Sequence, residues 1–454
     1  MAQQGTRHGI WPFGPRKLRG ADIPHNKVTA DQQTTCMSLP STIVLPMQQH
    51  IGAKCQPQVA KGDHVDVGTL VGHAEARTSA DIFSSVSGTV VEIRNIFYSN
   101  GDTDVAVVIE PDGAQTLDGS IGVPDISDYQ SLIAAMKRSG IVGLGGAGFP
   151  TDLKLDVDFA HIDRWLVNAA ECEPYISSDY REMMEHADTI MHGLTTCLDL
   201  SGVPRASICI EEDKTEAISF MKKQAAVDPR VEIAVLPERY PQGAGHVLVH
   251  NVTGRSIPRG GHVTDAGVVL FNVTTMSMIG KFLQDGVPLT KRRITVMGDA
   301  VAHPQNVEVL VGTPIREVVE HCGLAKEVRK IIVGGPMMGY SQVDWDYPIV
   351  RQNNGLLVFS EMGMEKPRTT ACIRCGACIS SCPMRLYPRE IQNSYRRGDA
   401  EALDKLAADL CMKCGTCSYV CPAKQPLTQA TRLACDQVKA ARKAARRAAQ
   451  KKGA

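Results

Sequence analysis

Eight of the fifteen cysteines fall into two runs whose spacing suits the binding of iron–sulfur clusters. The first run, CIRCGACISSCP, begins at Cys372, and the second, CMKCGTCSYVCP, begins at Cys411. Both follow the spacing C-x2-C-x2-C-x3-C-P, in which the fourth cysteine of each run ligates the cluster of the other run. The spacing therefore predicts two 4Fe–4S clusters, one on Cys372, Cys375, Cys378 and Cys421 and one on Cys411, Cys414, Cys417 and Cys382.

Structural zinc is the alternative use of these cysteines. It would need two C-x2-C pairs and would leave four of the thiols without a role. The spacing is also an internal repeat, which favours the cluster interpretation. Because a cluster carries single electrons and makes no bonds itself, another part of the chain must supply or receive those electrons.

A second candidate site is the stretch GLGGAGFPT, residues 143–151, which places four glycines in six positions. Glycine allows another molecule, often a phosphate, to touch the main chain, although a multiple-glycine turn is the alternative. Gly143, Gly145 and Gly148 also satisfy G-x-G-x-x-G. A dinucleotide fingerprint needs a strand before this loop and a helix after it, whereas an amphipathic stretch, DYQSLIAAMKRSG, precedes it and Pro150 follows.

The length and composition limit the number of domains and the classes of function that the chain can have. A chain of 454 residues implies three or four domains. The 49 basic and 49 acidic residues balance, so the charge does not support binding to nucleic acid. No apolar run is long enough to cross a bilayer, and the N-terminus lacks the apolar core of a signal peptide, so we expect a cytoplasmic protein.

The hydrophobic patterns predict a multidomain protein with β modules around an α/β core. After an N-terminal segment, residues 1–35, short strands fill residues 36–120. There the half-motifs KGDHVDVGTLVG and SSVSGTVVEI resemble a biotinyl/lipoyl-like β-domain, but SADIFSS stands where the carrier lysine would be, so we expect a structural platform. Residues 125–285 alternate apolar strands with helices, which indicates a Rossmann-like α/β domain with a largely parallel sheet.

Three further regions complete the chain. Residues 286–345 resemble a β-grasp domain, and residues 360–435 form a helical domain that carries the two clusters. In the tail, residues 436–454, basic side chains recur every three or four positions and would form one face of a helix: Lys439, Arg442, Lys443, Arg446, Arg447 and Lys451. This basic face suits an anionic membrane surface or an acidic partner, and a solvated or disordered end is the alternative.

The segment from Gly143 through FPTDLKL to LVNAAECEP resembles the flavoprotein subunit of respiratory complex I. A closer resemblance, over nearly the whole chain, is to the RnfC family, the C subunits of Rnf electron-transport complexes. That family has the N-terminal β-module, YPQGAGHVLVHNVTG, the β-grasp segment and the double ferredoxin motif in this order.

The resemblance implies binding sites for FMN and NAD(H). The residues it assigns are Gly143, Gly145, Gly146 and Gly148 for the flavin phosphate and ring, Lys154, Asn168 and Asn272 beside the flavin, and Phe149 and Glu173 toward the nicotinamide nucleotide, with Glu171 in the same glutamate pair. Without the resemblance, Glu171 and Glu173 could be solvated carboxylates at a strand end. No catalytic residue is assigned.

The sequence departs from the complex I pattern at several positions. Leu144 and Ala170 replace an arginine and an aspartate, and Ala244 and Gly245 stand where a glutamate close to the flavin is usual. His246 and His250 are four residues apart on a predicted helix, but no third metal ligand is evident, so we interpret them as non-ligands. The seven cysteines outside the runs lack cluster spacing and are predicted to be buried thiols.

By resemblance, the chain is the NADH-side oxidoreductase subunit of an Rnf-type complex, peripheral on the cytoplasmic face of the cell membrane. Its expected partners are the other subunits of the complex, among them a ferredoxin-like iron–sulfur subunit. Two alternatives remain open. One is a soluble cobalamin reductase of microcompartment type, which the residues before the glycine loop disfavour, and the other is a noncatalytic electron-wire subunit.

Overall fold

The computed structural model describes residues 19–99, 101–360 and 368–452. The chain divides into two units. The larger unit contains residues 24–99, 101–238 and 263–360, and the smaller unit contains residues 19–23, Arg239–His262 and residues 368–452. Within the described ranges, no helix is both long and apolar enough to cross a membrane.

Strands and α-helices are numbered in chain order. The strands are β1 (Thr35–Cys36), β2 (Ile43–Pro46), β3 (Gln56–Pro57), β4 (His64–Val65), β5 (Leu70–His73), β6 (Ile82–Phe83), β7 (Gly88–Phe97), β8 (Thr103–Pro111), β9 (Arg164–Asn168), β10 (Ala206–Glu211), β11 (Val231–Leu236), β12 (Val268–Asn272), β13 (Lys291–Met297), β14 (Gln305–Leu310), β15 (Lys330–Val333), β16 (Tyr340–Gln342) and β17 (Gly355–Phe359). The helices are α1 (Tyr129–Ser139), α2 (Thr151–Leu155), α3 (Ser178–Glu185), α4 (Ala187–Ser201), α5 (Thr215–Ala225), α6 (Gly245–Thr253), α7 (Val273–Asp285), α8 (Ile315–Cys322), α9 (Ala377–Ser380), α10 (Pro388–Arg396), α11 (Ala400–Lys405), α12 (Thr416–Tyr419) and α13 (Leu427–Lys452).

The first part of the larger unit is a β-module made of two small sheets. One sheet has the strand order β2-β8-β7-β4, and the other has the order β3-β5-β6. Apolar side chains that alternate along the strands, such as Leu45, Val71 and Val107, meet in one buried cluster between the sheets. This alternation explains why short strands with many turns build a stable module here.

A four-stranded parallel sheet, with strand order β11-β10-β9-β12, forms the centre of the larger unit. Its strands are the apolar runs that the sequence predicts, and helices α4, α5 and α7 belong to the same α/β part of the chain. Trp165 on β9 is fully buried and stacks on Phe271 of β12, with ring centroids 5.5 Å apart. The described part of the chain is therefore a mixed α/β protein, as the hydrophobic patterns predict.

Helix α1 directly precedes the glycine-rich stretch. Asp128 caps its N-terminus by accepting a hydrogen bond from the Ser131 amide, and the Ser131 side chain completes a capping box. At the other end, Gly140 adopts a left-handed conformation with φ 63°, which ends the helix three residues before Gly143. Local sequence signals thus fix where the glycine loop starts.

The remaining sheet of the larger unit has six strands in the order β1-β14-β13-β17-β15-β16. Helix α8 covers it with Ile315, Val318, Val319 and Cys322, all fully buried. Strand β1 joins by parallel pairing with β14, and β17 lies between β13 and β15. The sheet therefore uses residues on both sides of the range 286–345.

The smaller unit is helical. Helices α10, α11 and α13 bury Ile391, Leu403, Ala434 and Val438 against one another. Helix α6, which comes from the sequence between β11 and β12, belongs to this unit as well. The side chains of Arg446, Arg447 and Lys451 lie outside the described residues.

The seven cysteines outside the cluster runs differ in exposure. Five are buried, as predicted: Cys55, Cys197, Cys209, Cys322 and Cys435. Cys172 is only half-buried, and Cys36 is exposed, so the prediction was wrong for Cys36. The reason is that Cys36 lies in the two-residue strand β1, which occupies an edge of the six-stranded sheet.

Helices α4 and α7 cross closely at a pair of glycines. A Cβ atom added to Gly280 would lie 2.0 Å from the Thr189 carbonyl oxygen, and one added to Gly193 would lie 2.5 Å from that of Met276. At the same crossing the hydroxyl groups of Thr189 and Ser277 are 2.6 Å apart. The two helices can approach this closely only because both positions lack a side chain.

We predict that Gly280→Ala lowers the free energy of unfolding by roughly 1–3 kcal/mol, because the helices must separate to admit the methyl group. Urea unfolding followed by tryptophan fluorescence would measure the loss. Gly119→Ala is the matched control, since an added Cβ there meets nothing within 4 Å. Equal stability of the two variants would contradict the close crossing.

Candidate functional site

The parallel sheet contains a position where ligands commonly bind. Its order, β11-β10-β9-β12, means that the chain builds outward from β9 on one side and then places β12 on the other side. The carboxyl ends of β9 and β12 therefore flank a topological switch point, where open α/β sheets form a crevice. Asn168 and Asn272 end these two strands and are paired in register.

The glycine loop folds back on itself beside this switch point. The Gly143 amide donates to the Phe149 carbonyl at 2.8 Å, and the Gly148 amide donates to the Gly143 carbonyl at 3.0 Å. A Cβ added to Gly145 would lie 3.2 Å from the Asn272 Cβ. In contrast, an added Cβ on Gly146, where φ is 99°, meets nothing within 4 Å. The loop therefore contacts β12 on one side and leaves bare main chain on another.

A network of polar side chains holds the loop and Asn272. The Leu144 amide donates to the Thr275 hydroxyl at 2.9 Å, and the Asn272 side-chain oxygen caps α7 by accepting from the Thr275 amide. The Asn272 amide group donates to one oxygen of Asp179 at 2.7 Å, and the Thr274 hydroxyl donates to the other at 2.7 Å. Burial raises the pKa of Asp179. Sequence reasoning missed Asp179, Thr274 and Thr275.

Lys154 supplies a cation to the same end of the sheet. Its Nζ lies 4.5 Å from the centroid of the Phe271 ring, one residue before Asn272. Desolvation lowers the pKa of Lys154 to about 8. The hydroxyl of Thr151, one turn earlier on α2, is buried without a hydrogen-bond partner among the described residues. Both groups suit a ligand with negatively charged or hydrogen-bonding oxygens.

The polar residues that follow β9 form hydrogen bonds and an ion pair with other residues of the larger unit. The Asn168 side-chain oxygen accepts from the Ala170 amide at 3.2 Å. Glu171 adopts a left-handed conformation with φ 47°, and its carboxylate accepts from the Asp179 and Tyr180 amides at the start of α3. Lys27 approaches the same carboxylate at 3.7 Å, but burial dominates and raises the pKa of Glu171 to about 7.

Glu173 and Phe149 complete the residues assigned from the resemblance. One Glu173 oxygen accepts from the Met337 amide at 3.0 Å, and a Cβ on Gly335 would lie 2.2 Å from that oxygen. The Phe149 side chain is 36% exposed. Of the four departures, Leu144 and Ala170 are fully buried. The other two, Ala244 and Gly245, begin α6 in the smaller unit.

The β-module braces the glycine loop through His50. The Ile51 amide donates to the Gly148 carbonyl at 2.9 Å, and a Cβ on Gly148 would lie 3.3 Å from the His50 Cα. Arg351 donates to His50 Nδ1 at 3.1 Å, which leaves the proton of the neutral ring on Nε2, facing the Ala53 carbonyl. Burial, assisted by Arg351, lowers the pKa of His50 to about 4.

In the smaller unit, the eight cysteines of the two runs line two pockets, with four cysteines in each. One pocket is lined by Cys372, Cys375, Cys378 and Cys421, and the other is lined by Cys411, Cys414, Cys417 and Cys382. These are the two sets that the spacing predicts, with the fourth cysteine of each run in the pocket of the other run. Apolar residues make up much of both linings, although Cys375 in the first pocket is exposed.

The sequence repeat is also a repeat of backbone conformation. Arg374 and Lys413, at equivalent positions, are both left-handed, with φ 57° and 64°. Gly376 and Gly415, the N-cap residues of the short helices α9 and α12, are left-handed as well. After the fourth cysteines, the Leu386 amide donates to Cys382 Sγ and the Gln425 amide donates to Cys421 Sγ, both at 3.4 Å. The two runs therefore share the same turns as well as the same cysteine spacing.

The basic face of α13 borders a third pocket of the smaller unit. Lys439, Arg442 and Lys443 line it together with His246, Gly260, Gly261 and the segment from Asp409 to Met412. Arg442 pairs with Asp404 at 2.7 Å, whereas Lys439 and Lys443 are exposed. The basic face therefore begins beside Cys411, one of the predicted cluster ligands.

We predict that acid weakens the larger unit through His50. The unfolded chain binds the proton near pH 6.5 and the folded protein only near pH 4, so stability should fall as the pH drops through this window. Between pH 7 and pH 5 the loss is at most about 2 kcal/mol. Urea unfolding of His50→Gln should lack this dependence, whereas His192→Gln, at an exposed position, should keep it. Identical pH profiles of wild type and His50→Gln would refute this.

Double variants test the crossed cysteine sets. Cys382→Ser with Cys411→Ser should remove one cluster and leave about four irons per chain, because both residues line one pocket. Cys382→Ser with Cys372→Ser should remove both clusters. Iron analysis after anaerobic reconstitution distinguishes the arrangements, since uncrossed ligation gives the reverse outcome.

Comparisons with known proteins identify the modules of the chain. Four family models match: the RnfC barrel sandwich hybrid domain over residues 17–114, the Nuo51 FMN-binding domain over 136–281, the SLBB domain over 293–341 and a 4Fe-4S dicluster domain over 368–425. A solved chain of NAD+-reducing NiFe hydrogenase aligns with a TM-score of 0.48 and 18% identity, over 64% of this chain and 59% of that chain.

Three relatives align over most of their own length. The C subunit of the Na+-translocating ferredoxin:NAD+ oxidoreductase complex of Acetobacterium woodii is 38% identical, covering 79% of this chain and 82% of that protein. The C subunit of the proton-translocating complex of Clostridium ljungdahlii is 37% identical, covering 82% and 83%. The C subunit of the ion-translocating oxidoreductase complex of Rhodobacter capsulatus is 35% identical, covering 93% and 83%. The chain therefore belongs to the RnfC family, the C subunits of ion-translocating, Rnf-type oxidoreductase complexes.

Proposed function

We propose that this chain is the nicotinamide-side subunit of an Rnf-type complex and exchanges electrons between NAD(H) and its partner subunits through FMN and two 4Fe–4S clusters. The observation that carries the proposal is the presence, in one chain, of two four-cysteine pockets and a glycine loop at the switch point of a parallel sheet. The names of the relatives, ferredoxin:NAD+ oxidoreductase subunits, support it.

The residues at the switch point fit a flavin phosphate and ring. The bare main chain at Gly146 admits close approach, and Gly145 could not carry a side chain without moving Asn272. The ammonium group of Lys154 and the buried Thr151 hydroxyl provide hydrogen-bond donors for an anionic ligand. Bound FMN would supply the conversion between a two-electron hydride and single electrons.

We assign Asn168, Asn272, Gly143 and Gly148 to the shape of this site. Asn272 is held in one orientation by Asp179 and by the cap of α7, so its position is fixed before a ligand arrives. Gly143 and Gly148 close the loop through their mutual hydrogen bond. These residues would orient the ring without an induced rearrangement of the sheet.

The nicotinamide nucleotide is assigned to the side of Phe149 and the glutamate pair. The exposed face of Phe149 suits stacking on a planar ring. Glu173, tied to the Met337 amide, keeps acceptor capacity for ribose hydroxyls. Glu171 would support this side of the site indirectly, because its carboxylate already accepts hydrogen bonds from the amides at the start of α3.

The eight cysteines would carry the electrons onward. We assign Cys372, Cys375, Cys378 and Cys421 to one 4Fe–4S cluster and Cys411, Cys414, Cys417 and Cys382 to the second. The four thiolates of each pocket match the donor set of such clusters. In fold terms, we propose a biotinyl/lipoyl-like module over 36–120, a Rossmann-like domain over 125–285, a β-grasp domain over 286–345 and a two-cluster domain over 360–435.

We further propose that the chain is peripheral on the cytoplasmic face of the cell membrane, held there by the other subunits of the complex. A ferredoxin-like iron–sulfur subunit is the expected electron partner. The exposed Lys439 and Lys443 beside Cys411 give that partner, if acidic, an attractive surface.

The deciding experiment is anaerobic. The full chain is reconstituted with iron and sulfide, given FMN and mixed with NADH while flavin and cluster absorbance are followed. We expect about eight irons per chain and bleaching of both chromophores. Eight irons without bleaching in excess NADH would overturn the nicotinamide assignment and leave an electron-wire subunit.

A variant pair links the bleaching to the switch point. Lys154→Met should weaken FMN binding by about 10- to 100-fold, the effect of losing a charged hydrogen-bond donor. Lys222→Met, at an exposed position on α5, is the matched control and should bind FMN as the wild type does. Fluorescence titration of FMN measures both, and equal affinities would place the flavin elsewhere.

A further inference from the structure

The two cluster pockets differ at positions that the sequence repeat makes equivalent. Two residues after the second cysteine of each run, the first repeat has Ala377 and the second has Thr416. Seven residues after the fourth cysteine, the first repeat has Arg389 and the second has Thr428. One pocket therefore has hydroxyl groups where the other has a methyl group and a guanidinium group.

Both hydroxyl groups contact cysteine sulfur. Thr416 Oγ1 lies 3.3 Å from Cys414 Sγ, and Thr428 Oγ1 lies 3.6 Å from Cys417 Sγ. A cysteine that ligates a cluster is a thiolate and has no proton to give, so in the loaded protein the hydroxyl must be the donor. Ala377 has no such donor to offer its neighbouring thiolate.

Thr416 is the stronger of the two donors. The Thr428 hydroxyl also lies 2.8 Å from the Ser418 hydroxyl and 3.3 Å from the Gly415 carbonyl, so it is shared among acceptors. Thr416 is fully buried and Cys414 is 9% exposed. With little water nearby to compete, a hydrogen bond between these two groups is stronger than it would be at the surface.

We infer that Thr416 sets the reduction potential of the cluster held by Cys411, Cys414, Cys417 and Cys382, raising it through a hydrogen bond to the Cys414 sulfur. This inference rests on the proposed function, in which the pockets hold clusters. One-electron reduction adds one negative charge to the cluster and its thiolates. A donor aimed at a ligand sulfur stabilises the reduced form more than the oxidised form, and this makes the potential more positive.

In the other pocket, the charged side chain of Arg389 stands in place of a hydroxyl group. Arg389 lines it and donates to the side-chain oxygens of Gln392 and Gln425, the latter at 2.9 Å. Its charge acts on the whole pocket rather than through a hydroxyl bond to one sulfur. The two clusters can therefore be adjusted separately by single residues, although their cysteine spacing is identical.

Redox titration of the reconstituted full chain, poised with dithionite and followed by electron paramagnetic resonance, tests the inference without NADH. Thr416→Val keeps the side-chain shape and removes the donor, so one of the two midpoint potentials should become more negative while the other stays unchanged. Thr416→Ser keeps the hydroxyl and should retain the wild-type value. Ala377→Thr adds the hydroxyl to the first repeat and should make the other midpoint more positive.

The outcomes separate this inference from the proposed function. Wild-type protein that assembles no 4Fe–4S cluster would defeat the proposed function itself. Full iron content with unchanged midpoints in Thr416→Val, or a shift of both clusters together, would overturn the role of Thr416 alone. If Thr416→Val loses iron, Thr416→Ser and Ala377→Thr decide, and the absence of an upward shift in Ala377→Thr overturns the inference.

Discussion

A buried guanidinium group, that of Arg351, is the interaction on which the larger unit depends. Arg351 donates to the Asp81 and Gly140 carbonyls at 2.6 Å each, and to the Ala80 carbonyl and His50 Nδ1 at 3.1 Å each. It thereby ties the β-module to the end of α1 and to the segment before β17. A buried cation is costly unless it is hydrogen-bonded, and both terminal nitrogens of Arg351 have acceptors, so these bonds favour one arrangement of the three parts of the chain.

The candidate sites of the two units are built in opposite ways. In the larger unit, glycine main chain and strand ends form the candidate site, with few side chains. Asn272 and Asp179 hold this arrangement through a hydrogen bond. In the smaller unit, cysteine side chains are concentrated, because each of the two pockets is lined by four of them. The first strategy suits a large planar ligand, and the second suits a compact inorganic one.

Sequence reasoning succeeds here where the signal is local. The cysteine spacing groups the thiols as the pockets do, and the four apolar runs correspond to β9–β12. It fails where a side chain acts across a long separation. Asp179, Thr275 and Arg351 are ordinary polar residues in the sequence, and only the folded chain shows what they hold. Glu171 stays a predicted cofactor contact, and no local pattern reveals that its carboxylate also accepts from the amides at the start of α3.

The smaller unit is discontinuous in sequence, and this bears on how the protein is made. Residues Arg239–His262, between β11 and β12, belong with the C-terminal residues, and the Tyr240 hydroxyl donates to the Cys414 carbonyl at 2.7 Å. During translation this segment leaves the ribosome long before those contacts exist. The parallel sheet can close on either side of it, but α6 must wait for the last helices. Removing the C-terminal region would therefore leave an internal loop without its partners. A truncation at one point of the sequence cannot remove the whole unit that carries the cysteines.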